Sequence, residues 1–318
     1  MTSSMKLRQF LFALLLASTG ALAQPAPATA PSTDGQLCRS STNPDLAIKH
    51  CTAAIESSKA NSEMLAQWYV LRGAQWANKD DYDRAIADQT TALKIDPKTP
   101  RAYHHRGAAW SNKGEPDRAL ADFDAALAQT PDNPQILHAR GIEHAVKANY
   151  PRALADFDAA LRHAKGNDAQ GVYFARGRTL FYQSEFTRAA ADIETAFKAQ
   201  PNIYTALWLY LARRRSGLMD ADDLLERETR RIRSGWPAPV IALYLGRTDP
   251  ASVVNSATDS DPVRRRELRC EADFYIAQSH LIKGDRTTAQ RLLEGMQRDC
   301  PKNILEYEGS IGELRRGR

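Results

Sequence analysis

Seven histidines and four cysteines are the side chains most able to carry chemistry in this chain of 318 residues. His104 and His138 lie 34 residues apart, but no cysteine or acidic residue shares their spacing to complete a four-ligand zinc site. The cysteines form no C-x-x-C pair, and the sequence lacks a phosphate-binding loop, a G-x-S-x-G elbow, an H-E-x-x-H motif and a dinucleotide fingerprint. We therefore expect no catalytic residue, no cofactor and no metal site. Metal binding or catalysis by the histidines is kept as an alternative.

The charge balance argues against nucleic acid as a partner. Lys and Arg number 43 and Asp and Glu 38, which leaves a net charge of +5, a small excess for a surface of this size. The arginine clusters 213–215 and 264–266 are each followed by acidic residues, a pattern typical of solvated helix faces. The composition, 43% hydrophobic and 25% charged, is that of a globular protein and excludes a polytopic membrane protein.

Residues 1–23 have the pattern of a secretory signal peptide. Two basic residues precede an apolar segment, and Ala21-Leu22-Ala23 forms a small-residue cleavage site. The apolar segment is shorter than the ~20 residues that span a bilayer. Gln24, where a lipoprotein has cysteine, begins a Pro/Ala-rich linker over 24–36. We therefore expect secretion across the inner membrane to the periplasm, no stable membrane anchor, and an oxidising environment for all four cysteines.

Glycines and alanines recur at a nearly constant interval through the middle of the chain. The interval is 34 residues from Gly73 to Gly107 and again to Gly141, and 36 residues to Gly177. Two alanine series keep the same spacing: Ala85, Ala119, Ala153 and Ala189, and Ala92, Ala126, Ala160 and Ala196. Because each interval contains two apolar stretches of helical period, the sequence predicts a tandem array of helical hairpins in which small residues allow close packing.

This array resembles the tetratricopeptide repeat. Trp76 and Trp110 match the aromatic position of its first helix, and Phe123 and Phe157 match that of its second. The resemblance implies an all-α superhelical solenoid, because each hairpin buries its apolar stripe only against its neighbours. The predicted organisation is a half-repeat cap over 37–65, four repeats over 66–203, a degenerate helical region over 204–262, and a repeat-like hairpin with a capping helix over 263–318.

An arginine precedes each of the four glycines, and an aspartate occupies one fixed position in each second helix. The two series are Arg72, Arg106, Arg140 and Arg176, and Asp88, Asp122, Asp156 and Asp192. Their constant separation predicts Arg–Asp ion pairs within a repeat or across the joint between repeats. An anion-binding arginine ladder is the alternative interpretation.

The four cysteines fall near the two ends of the array. In the repeat frame, Cys38 and Cys51 occupy the facing positions that aromatic residues fill elsewhere, while Cys270 and Cys300 flank one helical hairpin. The other two connectivities would join opposite ends of an elongated solenoid. We therefore predict disulfides Cys38–Cys51 and Cys270–Cys300, which would staple both ends of the fold.

The C-terminal part, residues 204–315, is similar to the NlpI-like tetratricopeptide lipoproteins of the bacterial envelope. The similarity lies in the segment GWPAPVIALYLGRTDP, the hairpin FYIAQSHLIKGD and the helix that contains Glu306 and Tyr307. It implies an adaptor that holds an envelope protease and cell-wall hydrolases. This chain differs from that family in lacking the lipid-modified cysteine and in having four other cysteines.

Tetratricopeptide arrays bind peptides along a concave face lined by the first helix of each repeat. By this analogy the groove contains Arg101, His104, His138, Ile142, Phe174, Arg178, Phe181 and Tyr182. Aromatic anchors with a few donors suit a peptide or a partner's helix. For the three aromatic residues the alternative is core packing against the helices that follow. We expect a non-catalytic scaffold with protein or peptide partners. A self-associating envelope protein, such as a homodimer, is the alternative function.

Overall fold

The computed structural model describes residues 33–57, 61–218, 220–230, 234–302 and 304–316. Within these ranges the chain is all-α, with seventeen helices and no strand. The helices are α1 Thr33–Ser40, α2 Pro44–Glu56, α3 Ser62–Asn78, α4 Tyr82–Ile95, α5 Pro100–Asn112, α6 Pro116–Gln129, α7 Pro134–Val146, α8 Tyr150–His163, α9 Asn167–Tyr182, α10 Phe186–Ala199, α11 Ile203–Arg215, α12 Ala221–Thr229, α13 Ala238–Tyr244, α14 Pro250–Ser256, α15 Pro262–Ile282, α16 Arg286–Asp299 and α17 Leu305–Arg316. The predicted signal peptide, residues 1–23, lies outside the described ranges.

The chain divides into two compact units, with the boundary after Lys147. Among the described residues, the N-terminal unit contains α1 to α7 and the C-terminal unit contains α8 to α17. Successive helices pack as hairpins within each unit: α3 with α4 and α5 with α6 in the first, α9 with α10 and α15 with α16 in the second. The predicted all-α fold built from helical hairpins is therefore confirmed.

Helix starts follow from local capping chemistry. The Asn61 side chain accepts a hydrogen bond from the Met64 N–H at the start of α3, which satisfies a donor that has no partner inside the helix. Proline occupies the first position of α5, α6 and α7, where its missing N–H removes no helical hydrogen bond. Two boundaries differ from the sequence prediction. Helix α1 begins at Thr33, inside the predicted linker, and α15 begins at Pro262 rather than at Cys270, because Asp261 caps it.

Both predicted disulfides are present. In the N-terminal unit, Cys38 and Cys51 join α1 to α2, and both are buried against Trp68, which is 1% exposed. In the C-terminal unit, Cys270 of α15 is bonded to Cys300 at the end of α16. Each bridge therefore closes a short helical hairpin near one end of the described chain.

Gly107 shows how the helices of one hairpin approach each other. A Cβ atom at this position of α5 would lie 2.7 Å from Cε1 of Phe123 and 3.2 Å from the Ala119 carbonyl oxygen, both on α6. Ala119 and Phe123 are almost completely buried. Because a Cβ cannot be accommodated at 2.7 Å without movement of the ring, glycine at this position of the repeat is a packing requirement.

Three of the four predicted Arg–Asp pairs form within repeats, and their arginines also reach across the joint to the preceding hairpin. Arg106 donates from Nε and Nη2 to Asp122 at 2.9 and 2.7 Å, and from Nη1 to Thr90 at 3.2 Å. Arg72 with Asp88 and Thr52, and Arg176 with Asp192 and Asp158, repeat this arrangement. Arg140 donates a hydrogen bond to Asp124. Its predicted partner, Asp156, belongs to the other unit. The guanidinium groups of these arginines therefore hold neighbouring helices together.

The C-terminal unit has one continuous aromatic core. Trp208 of α11, which is fully buried, lies with its ring centroid 5.5 Å from Phe181 of α9 and 5.5 Å from Phe274 of α15. These three rings join α9, α11 and α15 into one packed layer. The last helix, α17, packs on α9, α15 and α16.

Candidate functional site

Four of the eight predicted groove residues lie on α5 and α7 of the N-terminal unit. Arg101 is exposed at the start of α5, and His104 lies one turn later with only 7% of its surface exposed. On α7, which packs beside α5, His138 is 8% and Ile142 6% exposed. A ligand can therefore reach the Arg101 guanidinium. The side chains of His104, His138 and Ile142 are buried, which corrects the expectation that they line an open groove.

His104 is held as a neutral imidazole. Its ring stacks on that of His105, with 5.6 Å between centroids, and lies 6.0 Å from the ring of Phe123. Burial, and to a smaller extent the nearby charge of Arg101, lowers the pKa of His104 to about 4. At neutral pH the ring therefore offers one donor and one acceptor and no charge. Among the described residues, no group of three or more His, Cys, Asp or Glu side chains is placed to hold a metal ion.

The other four predicted groove residues, all on α9 of the C-terminal unit, are buried. Their exposed fractions are 6% for Phe174, 3% for Arg178, 0% for Phe181 and 4% for Tyr182. The Phe181 ring meets that of Phe186 edge-on at 5.1 Å and that of the core residue Trp208 at 5.5 Å. This corrects the expectation of an open groove on α9, because helices from the same unit cover this surface. The alternative interpretation, core packing, is the one observed for Phe174, Phe181 and Tyr182.

Helix α17 covers the polar part of the α9 surface. Arg178 donates from Nη1 to Glu308 Oε2 of α17 at 3.0 Å, and the Arg178 guanidinium lies 5.3 Å from the centre of the Phe174 ring. Glu313, one turn and a half further along α17, accepts hydrogen bonds from Arg215 at 3.3 Å and from Gln278 at 3.0 Å. Two guanidinium groups, from α9 and α11, and one side-chain amide from α15 thus converge on two carboxylates of a single short helix.

Two further carboxylates, Glu306 at the start of α17 and Glu271 of α15, are buried together. This cluster was not predicted from the sequence. Glu306 accepts a hydrogen bond from the Tyr275 hydroxyl at 3.1 Å. Glu271 accepts from three donors: Trp236 Nε1 at 2.6 Å, the Tyr204 hydroxyl at 3.2 Å and Arg264 Nη1 at 3.2 Å. Burial, followed by repulsion from Glu271, raises the pKa of Glu306 to about 8. Glu306 is therefore protonated at neutral pH, and the cluster fastens α17 to α15 without a second buried charge.

No helix within the described ranges is both long and apolar enough to cross a bilayer.

Comparison with known proteins agrees with the repeat geometry. The tetratricopeptide repeat family matches residues 71–144 and again residues 174–222. The chain is similar in structure to PilW, a type IV pilus biogenesis factor, with a TM-score of 0.52 and 19% identity over 79% of this chain and 100% of PilW. It is also similar to PilF of Pseudomonas aeruginosa, with a TM-score of 0.47 and 17% identity over 79% of this chain and 99% of PilF. A third likeness is to YrrB, described as a TPR protein with an unusual peptide-binding site, with a TM-score of 0.49 and 19% identity over 62% of this chain and 98% of YrrB.

Proposed function

Because the chain is a tetratricopeptide-repeat protein, we propose that it is a non-catalytic adaptor whose first helices bind peptides or partner proteins. The observation that supports this most directly is the exposed guanidinium of Arg101 next to the neutral His104 on α5. A guanidinium offers five N–H donors in a planar fork, which suits peptide carbonyls and carboxylates. His138 and Ile142 on the neighbouring α7 are buried and belong to the packed layer beside α5.

The mechanism of such an adaptor is geometric. The hairpins are held by Arg–Asp pairs such as Arg106–Asp122 and by close contacts at Gly107, so the first helices keep fixed positions within the unit. A partner that binds to a preformed surface loses less conformational entropy than one that must order it. Two partners bound to one chain also gain effective concentration toward each other. This role requires no reacting group.

The two disulfides support export as part of this proposal. Cys38–Cys51 and Cys270–Cys300 leave no free cysteine, and such bridges persist in oxidising compartments such as the periplasm. We place the adaptor in the bacterial envelope, without a stable membrane anchor. In line with the NlpI-like resemblance, an envelope protease or a cell-wall hydrolase is the class of partner that we propose.

Affinity capture from an envelope extract tests the N-terminal surface. The informative variant is Arg101→Glu, which reverses the exposed charge on α5. The matched control is Lys94→Glu, which reverses an exposed charge on α4, the second helix of the preceding hairpin. We expect Arg101→Glu to reduce recovery of a partner that Lys94→Glu recovers as the wild type does. Equal recovery of every partner by both variants would contradict the proposal. Light scattering on the same samples detects a homodimer.

A further inference from the structure

Helix α17 packs on the C-terminal unit in the way that a partner helix packs in a binding groove. Its buried residues are Leu305, Glu306, Gly309, Ser310, Gly312 and Glu313. Positions 306, 309, 310 and 313 follow the three- and four-residue spacing by which a helix fits a groove. Beyond Leu305 the fully buried positions are glycine, serine and glutamate, while Tyr307 and Leu314 pack partly buried against the core, so close approach and charge pairing add to the apolar contact.

Two glycines set how closely α17 can approach. A Cβ at Gly309 would lie 2.5 Å from Cε2 of Phe274, and a Cβ at Gly312 would lie 2.8 Å from Cδ1 of Tyr182. The backbone of α17 therefore rests directly on two aromatic rings, one from α15 and one from α9. Even alanine at either position requires a ring to move. The surface accordingly selects a helix with glycines three residues apart.

Two carboxylates flank these glycines and meet the cations of the surface. Glu308 precedes Gly309 and is bonded to Arg178, whose side chain is only 3% exposed. Glu313 follows Gly312 and is bonded to Arg215 at 3.3 Å. Removal of one partner from a buried ion pair leaves an uncompensated charge, which is strongly unfavourable. Whatever covers Arg178 and Arg215 must therefore bring carboxylates to the same places.

We propose that Arg178, Tyr182, Arg215 and Phe274 form a helix-binding surface for a partner helix with the pattern Glu-Gly-x-x-Gly-Glu, and that α17, with Glu308-Gly309-Ser310-Ile311-Gly312-Glu313, occupies this surface until the partner displaces it. The inference rests on the proposed adaptor function and adds the class of partner and its regulation. Exchange requires that α17 leave and that the Tyr275–Glu306 hydrogen bond break, after which the ion pairs and the ring contacts re-form with the incoming helix.

A labelled synthetic peptide of residues 301–318 is the probe, and fluorescence anisotropy on the full chain is the measurement. In the wild type the tethered α17 competes at the high effective concentration of an intramolecular ligand. In a chain with Glu308→Gln and Glu313→Gln this competitor is weakened. We expect that chain to bind the peptide about tenfold tighter than the wild type, or more. A peptide with Gly309→Leu and Gly312→Leu, and one with Glu308→Gln and Glu313→Gln, should each lose about as much affinity.

Hydrogen exchange on the unsubstituted chain provides a second readout that needs no altered protein. Excess peptide should raise the exchange of residues 305–316 while the amides of α9 and α15 stay protected. The inference is overturned if the weakened chain binds the peptide no more tightly than the wild type. It is also overturned if the leucine peptide binds as well as the natural one, or if exchange of α17 does not change. Capture of partners through Arg101 is independent of these results, so the two proposals fail separately.

Discussion

The Tyr275 hydroxyl donates a hydrogen bond of 3.1 Å to Glu306, whose side chain is buried at the start of α17 with Glu271 as a second carboxylate nearby. Burial and the neighbouring acid keep the Glu306 proton on up to a pKa of about 8. Attachment of α17 therefore depends on a protonated carboxylic acid, although the same helix is also held by the ion pairs of Glu308 and Glu313. The docking of α17 therefore weakens as the pH rises from about 4.5 to about 8.

Glu306→Gln should remove this loss of stability with rising pH. The folded state keeps the proton that the unfolded chain releases near the ordinary glutamate pKa, so stability falls as the pH rises from about 4.5 to about 8. Glutamine mimics the protonated acid at every pH. We expect the free energy of unfolding of the variant to exceed that of the wild type by about 2 to 4 kcal/mol at pH 9 and to match it at pH 4. Urea unfolding followed by circular dichroism checks this. A parallel pH dependence in both proteins would contradict the assignment.

The N-terminal unit should respond to acid in the opposite sense. The pKa of His104 is lowered to about 4, whereas an unfolded histidine takes up its proton near pH 6.5. Stability is therefore lost as the pH falls from about 6.5 toward about 4, by about 2 to 3 kcal/mol for this residue. His104→Gln should reduce that dependence, and His105, whose pKa burial also lowers, should account for the remainder. Hydrogen exchange of α5 amides at pH 7 and pH 5 measures the effect locally. An α5 that opens equally at both pH values in the wild type would refute the prediction.

Asp122→Asn should destabilise the fold by about 2 to 3 kcal/mol. Asp122 is 5% exposed and accepts two hydrogen bonds from Arg106, so the variant leaves a half-buried guanidinium without its anion. Asp83→Asn is the matched control, because the Asp83 carboxylate pairs with Lys113 on the surface and should cost less than about 1 kcal/mol. Urea denaturation with the disulfides intact compares them. Equal losses would mean that the repeated Arg–Asp pairs do not hold the hairpins together.

Gly107→Ala should cost about 1 to 3 kcal/mol by overpacking, because its Cβ would lie 2.7 Å from the Phe123 ring. Gly295 on α16 is the matched control, since the nearest atom to an added Cβ is Arg298 Nη2 at 3.9 Å. Gly295→Ala should stabilise the protein by about 0.5 to 1 kcal/mol through higher helix propensity. Melting temperatures of the two variants should shift in opposite directions. A neutral Gly107→Ala would show that the hairpin has more space than its contacts indicate.

Features that depend on short sequence separations were predictable from the sequence alone. The 34-residue interval predicts the hairpins, and the 16-residue separation of Arg106 and Asp122 places both on one hairpin. The same holds for Cys270 and Cys300, which are 30 residues apart at either side of one turn. Helical period and capping chemistry are local properties, so these contacts follow once the helices are assigned.

Only the tertiary structure decided what covers the α9 surface. Arg178 meets Glu308 from 130 residues further along the chain, and Glu271 meets Tyr204 across 67 residues. A periodic pattern of apolar residues could not reveal where α17 packs, because all of its fully buried positions after Leu305 are glycine, serine or glutamate. Whether an aromatic residue on a first helix lines a groove or lies in the core depends on which later helix packs on it. Close approach and charge pairing between distant segments decide which helix packs there, and the spacing of residues along one helix does not reveal it.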